Sequence, residues 1–429
     1  TSILAEAKSV SGTGIDLKTR SAATATAWGV TITKPDFTAS PATATLTVTP
    51  PTAFTGGSIA ALLMVTLTKT DGTTLTAART LKLDMSNSST YNQVGSGTET
   101  DPYLLYNAAQ LASLAATVNA GTNTEGEMKG KYFKMMNDID LSSVCGDGAN
   151  GAVNANWTPI GISNYINGGA PYFAGIFDGN GYSVTGLYIN ASSEYYKGLF
   201  GEVSSTSVIK NLSVSGKVTG RYFVGGIVGF NDGGIISGCS SSVEVNGFVY
   251  VGGIAGYNSY GSITACYNTG SVSSGDGSYC IGGIAGGNHS GSITACYNTG
   301  NVWGDNSSSV GSIAGLNSYG SITACYNTGT ITGSSPVGSI AGRNNSGTYA
   351  ACYFLSGTAT NGVGDGTSAG VSSVASITDL NGAVLTLNGA ITTWNTGNPT
   401  KLCNFQFKAS TTPATDVPTL ASGAPATAP

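Results

Sequence analysis

One phrase recurs five times between Val224 and Gly364, and its clearest copy, V-G-G-I-A-G-Y-N-S-Y-G-S-I-T-A-C-Y-N-T-G, begins at Val251. Each copy carries a cysteine at the same position, and successive cysteines lie 27 to 30 residues apart. Repeats of this length are typical of stacked supersecondary units, each of which needs its neighbours to bury its apolar face. The repeat therefore predicts a solenoid, with any function on its surface.

The repeats can be aligned on their glycine and isoleucine positions. In each copy an apolar residue lies three positions before the cysteine, as Ile263 lies before Cys266. Side chains on one face of a strand are two residues apart, so a spacing of three predicts a bend or bulge at Ala265 and its equivalents. Counted from Phe173, the alignment predicts an all-β chain whose main part is a parallel β-helix of about seven coils.

The sequence pattern divides the chain into four regions. Residues 1–90 alternate threonine with apolar residues between proline and glycine turn signals, which predicts a small antiparallel β-sandwich that ends in a polar linker. Residues 91–172 are expected to form an N-terminal cap and the first strands of the solenoid, and residues 173–365 the repeated coils. Residues 366–429 are expected to form a C-terminal cap helix, a last strand and a flexible tail.

Two stretches have the apolar spacing of short amphipathic helices. Asn107 and Gln110 resemble a capping box before an apolar pattern that stops at Gly121. Near the C-terminus, Leu380 and Leu387 belong to a second such pattern. We expect these helices to cover the ends of the solenoid, which would otherwise expose unpaired strand edges.

The repeated cysteines form one column, which Leu187 and Leu212 continue into the two preceding coils. A position that accepts leucine or cysteine is an apolar filling position, so we expect buried free thiols. Disulfides between adjacent rungs lie within Cα reach but would disturb parallel stacking, and a metal site lacks C-x-x-C spacing and histidine partners. The sequence leaves open the pairing of the other three cysteines, Cys145, Cys280 and Cys403. The column consists of Cys239, Cys266, Cys296, Cys325 and Cys352.

An asparagine recurs at one turn of the repeat. Asparagine can hydrogen-bond its own backbone there and tolerates the left-handed conformation that such turns need, so we expect a structural ladder between coils. Val203 interrupts this column, and Asn180 is expected to begin it. Its later members are Asn231, Asn258, Asn288, Asn317 and Asn344.

Composition excludes several classes of function. Charged residues make up 9% of the chain, the net charge is −5, and no cluster of Lys and Arg offers a footprint for nucleic acid or anionic lipid. No apolar run approaches the roughly 18 residues of a membrane span. The only histidine, His289, lies at an expected exposed turn, so no zinc motif and no Ser/His or Cys/His pair can be built. We expect no catalytic residue and no cofactor.

Two aspartates are the strongest acidic candidates. Asp276 and Asp305 fall in corresponding loops of neighbouring coils, where they could form the paired carboxylates of a glycosidase or oxygen ligands for Ca²⁺. The loops differ in length and hold no third acid. We therefore regard these residues as weak candidates for a calcium site.

Aromatic columns are the better candidates for binding. A tyrosine follows each of the last four repeat cysteines, so an inward cysteine predicts an outward tyrosine ladder. Its simplest role is to stabilise the solenoid wall by ring packing. The alternative is an exposed platform for a glycan or a protein partner. The candidate binding residues are Tyr267, Tyr297, Tyr326, Tyr353 and the loop residue Trp303.

The glycine-rich phrases resemble the GLUG motif of bacterial cell-surface proteins. The resemblance rests on G-L-F-G from Gly198, V-G-G-I-V-G and V-G-G-I-A-G, and on lead-in phrases such as W-T-P-I-G from Trp157. It covers about residues 95–408. It implies a β-helix on an exported, often lipid-anchored and adhesin-like protein. The first 90 residues resemble, more weakly, the sandwich of fimbrillin-type pilus subunits, and an Ig-like sandwich is the alternative.

The resemblance favours a non-enzymatic surface adhesin or a pilus-associated, even tip, protein. Its expected partners are an extracellular glycan, a surface protein of the host or of bacteria, or other pilus subunits. Its expected location is the cell surface or outer membrane, with anchoring through a segment not included in this chain. The alternative is a secreted β-helix enzyme, a lyase or glycosidase that acts on polysaccharide, since β-helices also host such enzymes.

Overall fold

The chain forms two compact units, Thr1–Ser96 and Gly97–Pro429. The computed structural model describes the backbone of five strands before residue 86 and, after them, residues 90–92, 94–120, 128–149, 153–162, 171–305, 308–398, 403–413 and 415–422.

The described strands of the first unit are antiparallel. Gly57–Thr68 pairs with Leu17–Thr19 on one side and with Thr74–Met85 on the other, and Gly29–Ile32 pairs with Leu46–Thr49. This pairing fits the alternation of threonine with apolar residues, which gives each strand two different faces. The packing of these strands into a sandwich stays a prediction, and most of the expected linker, residues 86–89, lies outside the described residues.

The second unit is a parallel β-solenoid, as the repeat predicted. Among the described residues, its first sheet stacks nine parallel strands, which corresponds to about eight turns rather than seven. The solenoid therefore begins in the lead-in region, well before the first recognisable repeat. The strands of this first sheet are Tyr103–Leu105, Tyr132–Met135, Ile176–Asp178, Val208–Lys210, Ile235–Ser237, Ser262–Thr264, Ser292–Thr294, Ser321–Thr323 and Thr348–Ala350.

The second sheet has seven parallel strands in the described part of the chain. It follows a corner at which the isoleucine of each G-x-x-G phrase points inward; Ile254 and Ile284, for example, are fully buried. The strands are Phe200–Val203, Val228–Asp232, Ala255–Ser259, Ala285–His289, Ala314–Ser318, Ala341–Asn345 and Val363–Asp365.

The third side of the solenoid is bent, so each turn contributes more than one strand to it. Glycines mark the corners because neighbouring coils approach closely; a Cβ on Gly300 would lie 2.1 Å from the carbonyl oxygen of Gly270. Its strands are Ile139–Asp140, Ser183–Asn190, Tyr195–Lys197, Ser213–Thr219, Tyr222–Gly225, Ser240–Ser241, Glu244–Gly252, Tyr267–Asn268, Val272–Gly282, Tyr297–Asn298, Val302–Gly304, Ser308–Gly311, Tyr326–Asn327, Ile331–Gly333, Val337–Gly338, Cys352–Leu355 and Val371–Val374.

The core is built from identical side chains stacked in register. Ile236, Ile263 and Ile293 pair in succession and are fully buried. Each such side chain stabilises the fold by about 1.5–3 kcal/mol relative to an exposed one. The residue between the isoleucine and cysteine columns takes a positive φ, 53° at Ala265 and 54° at Ala295, which confirms the expected bend.

The alignment of the first repeated coil is wrong. Phe177, not Val184, pairs with Ile209, and Leu187 pairs with Gly216 rather than extending the cysteine column. Asn180 lies in the turn after the first sheet, where its backbone N–H donates to Asp178. The reason is an insertion in this turn, which moves the following strand out of the phase of the later repeats.

Three α-helices of the described residues lie outside the sheets. Helix α1, Ala108–Ala120, begins as expected, because the Asn107 side chain accepts a hydrogen bond from the Gln110 N–H at 2.9 Å. At its end the Asn119 side chain bonds Pro159 and Gly161 of the first turns. The remaining elements are helices α2, Ile377–Gly382, and α3, Val384–Gly397, a one-turn 3₁₀ helix, Leu141–Ser143, and two short antiparallel pairs, Gly146–Asp147 with Asn154–Ala155 and Phe405–Lys408 with Thr419–Ser422.

The main helix of the C-terminal region does not cover the end of the solenoid. Helix α3 packs against its side, on the corner formed by Ala295 and Ala324, because these small residues let a helix approach closely. Part of the expected flexible tail, Thr419–Ser422, is a strand paired with Phe405–Lys408.

Candidate binding surfaces of the solenoid

The cysteine column lies inside the solenoid. All five thiols are fully buried, and each donates to the carbonyl oxygen two residues before it, as Cys266 does to Thr264 at 3.3 Å. Burial raises the pKa of the Cys239, Cys266, Cys296 and Cys325 thiols well above the usual value. Neutral, buried thiols are poor nucleophiles and poor metal ligands, so these four side chains fill the core.

The remaining three cysteines, Cys145, Cys280 and Cys403, are also buried and unpaired. Burial raises the pKa of Cys280 to about 12 and that of Cys403 to about 11. They too are placed for packing rather than for chemistry.

The asparagine column forms a hydrogen-bonded ladder inside the solenoid, near the ends of the strands of the second sheet. The Asn231 Nδ2 atom donates to Asn258 at 2.7 Å, Asn258 to Asn288 at 2.8 Å, and Asn288 to Asn317 at 2.9 Å. All four side chains are fully buried. Asn344, which is partly exposed, bonds Thr367 instead. At the other end, the Asn231 Oδ1 atom has no hydrogen-bond donor, since Val203 occupies the next rung.

The structure contains a second asparagine ladder, which we did not predict from the sequence. Asn268 donates to Asn298 at 2.9 Å, and Asn298 to Asn327 at 3.3 Å, and all three are fully buried. The sequence did carry a signal for it, because the asparagine of C-Y-N-T-G recurs beside an outward tyrosine and must therefore point inward.

The tyrosine column is stacked but is not an open platform. The Tyr267 and Tyr297 rings lie 4.8 Å apart at 2°, and the Tyr297 and Tyr326 rings 4.8 Å apart at 3°. Tyr297 is only 7% exposed and Tyr326 fully buried, because α3 and the C-terminal strand pair lie over them. Tyr353 is half-buried against the same cluster. The expectation of an exposed binding face is therefore wrong for the middle of this column.

The side chains that cover the tyrosines come from the C-terminal region. Leu387, Ile391 and Trp394 of α3 join Phe407 in one apolar cluster with Tyr297 and Tyr326. The Tyr326 hydroxyl also donates to the carbonyl oxygen of Pro418. We call Tyr267, Tyr297, Tyr326 and Tyr353, with this cover, the covered stack.

A cleft opens where the same outward column changes from tyrosine to serine. Ser240 pairs with Tyr267, and Ser213 and Ser183 continue the column toward the N-terminus. The cleft has a volume of about 300 Å³ and includes Ser242 in its lining. We call it the serine cleft.

A different group of aromatic side chains lies exposed on the turns between the second and first sheets. Tyr260 and Tyr319 are 61% and 62% exposed. The His289 ring stands between them, with centroids 5.7 Å from Tyr260 and 6.2 Å from Tyr319 and nearly perpendicular planes. The Tyr260 N–H donates to the His289 carbonyl oxygen, which fixes one turn on the next. We call these three residues the turn ridge.

The other predicted site residues do not join a common site. Trp303 is 39% exposed but lies beyond the Gly300 corner, on a strand next to Ser273 and Thr332 rather than on the tyrosine column. Asp305 is exposed, and the side chain of Asp276 lies outside the described residues. In the part of the chain that the structure describes, no three His, Cys, Asp or Glu side chains meet as metal ligands would.

None of the described helices is long and apolar enough to cross a membrane.

Comparison with known proteins identifies a known motif in the repeats. Residues 220–246, 249–273 and 306–332 match the GLUG motif. A protein of Evansella cellulosilytica named as a Gly-rich membrane protein is 36% identical over 122 residues, which are 28% of this chain and 12% of that protein. Halomucin of Haloquadratum walsbyi is 30% identical over 171 residues, 39% of this chain and 2% of halomucin. The chain is thus a β-solenoid protein that contains GLUG motifs and matches a small part of much longer relatives.

Proposed function

We propose that this chain is a non-enzymatic surface adhesin whose solenoid displays binding residues to an extracellular glycan or protein. The observation that carries the proposal is the turn ridge. Its two tyrosines expose most of their rings on turns that inter-coil hydrogen bonds hold in place. Large aromatic side chains on a rigid support lose little entropy on binding and are enriched at recognition sites.

The relatives support the location. One is named as a membrane protein and the other as a halomucin. We propose that this chain is likewise exported and displayed at a cell surface or outer membrane. No observation among the described residues favours the alternative of a polysaccharide-active enzyme.

The proposal is tested by binding measurements on the purified chain. We expect it to bind a glycan array, immobilised host matrix proteins or bacterial cells, and we expect Tyr260→Ala combined with Tyr319→Ala to weaken this binding. Leu385→Ala, at a residue 85% exposed on α3, is the matched control and should bind as the unmodified chain does. Absence of binding to all three targets, or release of new reducing ends from a polysaccharide, would contradict a non-enzymatic adhesin.

We also propose that the first unit associates with pilus subunits. Its antiparallel strands and its resemblance to fimbrillin-type subunits support this. Copurification of the full chain with pili from its native cells would be the expected result, and its recovery only apart from pili would contradict the idea.

A further inference from the structure

The serine cleft exists because one column of side chains changes size. Tyrosine rings fill each rung from Tyr267 onward, at a spacing of 4.8 Å. On the preceding rungs Ser240 and Ser213 occupy the same register positions and leave the volume of several rings unfilled. The result is a concavity of about 300 Å³, at the lower end of the range for small-ligand sites.

The first ring of the stack faces this cleft. On its C-terminal side Tyr267 stacks on Tyr297. On its N-terminal side its register partner is Ser240, whose short side chain leaves room for the cleft that Tyr267 helps to line. Because Tyr297 and the cover behind it hold Tyr267 in place, the ring is an oriented, rigid platform.

The rest of the lining is uncharged and rich in hydroxyl groups. Ser213 and Ser240 form a hydrogen bond at 2.8 Å between their hydroxyls, and the exposed residues Ser242 and Thr269 add two more hydroxyls. Every described residue that lines the cleft is uncharged. Hydroxyl groups both donate and accept hydrogen bonds, which suits a ligand that does the same.

We propose that the serine cleft binds a neutral sugar, one ring of which stacks on Tyr267 as the next rung of the tyrosine column. The ligand's hydroxyls replace water on the serine and threonine hydroxyls. An apolar ligand would leave the remaining hydrogen-bonding capacity of these hydroxyls unsatisfied, and a charged ligand would find no counter-charge in the lining. The site gives the proposed adhesin its ligand class and rests on that function.

The decisive variant is Ser240→Tyr, which fills the cleft with the ring that the column would otherwise have there. We expect at least about a tenfold loss of affinity for a neutral oligosaccharide chosen from a glycan array and measured by calorimetry. Tyr267→Ala should weaken binding similarly, whereas Tyr267→Phe, which keeps the ring, should retain most of it. Tyr279→Ala, at a tyrosine 53% exposed outside the cleft, is the control.

The outcomes separate this proposal from the proposed function. If the full chain binds cells or glycans and Ser240→Tyr binds them equally well, the cleft proposal is overturned and adhesion stands. Preference for sialylated over neutral glycans would also overturn it. If the unmodified chain binds no target at all, both proposals fail. Urea unfolding is the folding control for Ser240→Tyr. A midpoint equal to or higher than that of the unmodified chain shows that the loss of binding is not caused by a loss of folding.

Discussion

The covered stack and the serine cleft are two halves of one column on the same side of the solenoid. In the first half each outward residue is a tyrosine, and a buried asparagine follows it in the first three rungs, as Asn298 follows Tyr297. In the second half the same positions hold serine beside serine or valine, as in Ser240 and Ser241. The backbone pairing is continuous through both halves.

The difference shows how a repeat protein separates stability from binding. A flat row of rings is an apolar surface, and the chain covers it with its own C-terminal helices and strands. A row of serines gives a folding segment little apolar area to bury, so it stays open. On this side of the solenoid, a residue that recognises a partner should therefore lie at the boundary, where Tyr267 belongs to both halves.

The largest expected effect comes from breaking the cover. Leu387→Ala removes a fully buried side chain of α3 that packs in the cluster with Tyr297 and Tyr326, and should lower the free energy of unfolding by about 2–5 kcal/mol. Leu385→Ala, on the exposed face of the same helix, should change it by less than about 0.5 kcal/mol. Urea denaturation followed by tyrosine fluorescence measures both, and equal effects would mean that α3 does not pack as described.

The next effect comes from breaking the inner ladder of the covered half. Asn298→Ala removes the acceptor of Asn268 and the donor to Asn327, and leaving such buried groups without partners should cost about 1–3 kcal/mol. Asn361→Ala, at an exposed asparagine, is the control. Equal urea midpoints for the two variants would show that the ladder contributes nothing to stability.

A third prediction concerns alkaline pH. Burial raises the pKa of Tyr297, Tyr326 and Cys266 in the folded chain, so the stability that their neutral forms contribute is fully present below the unfolded pKa values, about 8.5–9 for cysteine and about 10 for tyrosine. Stability should fall as pH rises above these values toward the folded pKa, by up to about 1.4 kcal/mol per group and pH unit. Urea unfolding at a series of pH values from neutral to strongly alkaline measures this, and a constant midpoint across the series would refute it.

The smallest expected effect comes from a variant that extends the tyrosine stack of the covered half into the open half. Ser240→Tyr adds one ring to the stack and should stabilise the chain by about 0.5–1.5 kcal/mol beyond the area that it buries. Ser242→Tyr, at an exposed position of the cleft, has no ring to stack on in register and should gain less. A destabilised Ser240→Tyr variant would show that the cleft is not shaped as an empty rung.

Most of the repeated core was predictable from particular residues. Ile263 and Cys266, three positions apart, required the bend that Ala265 makes, and the turn asparagines required a ladder. The first coil was misaligned because its inserted turn at Asn180 has no equivalent in the later coils. A periodic sequence fixes contacts between identical neighbours, but an insertion breaks the count on which such an alignment depends.

The tyrosine face could not be assigned correctly from the repeat. Alternation along a strand shows that Tyr297 and Tyr326 point away from the core, and it says nothing of what lies on the outside. The helix pattern around Leu387 was recognised, but whether it would cover an end or a side depends on contacts between residues about 60 to 90 positions apart.

The sequence by itself determined that this chain is a β-solenoid with buried cysteine and asparagine columns, because each coil repeats the environment of the one before it. Only the tertiary structure decided which half of the outward column is closed and which is open. Covering a surface requires a partner of matching shape from elsewhere in the chain, and that match arises from packing rather than from the period of the sequence.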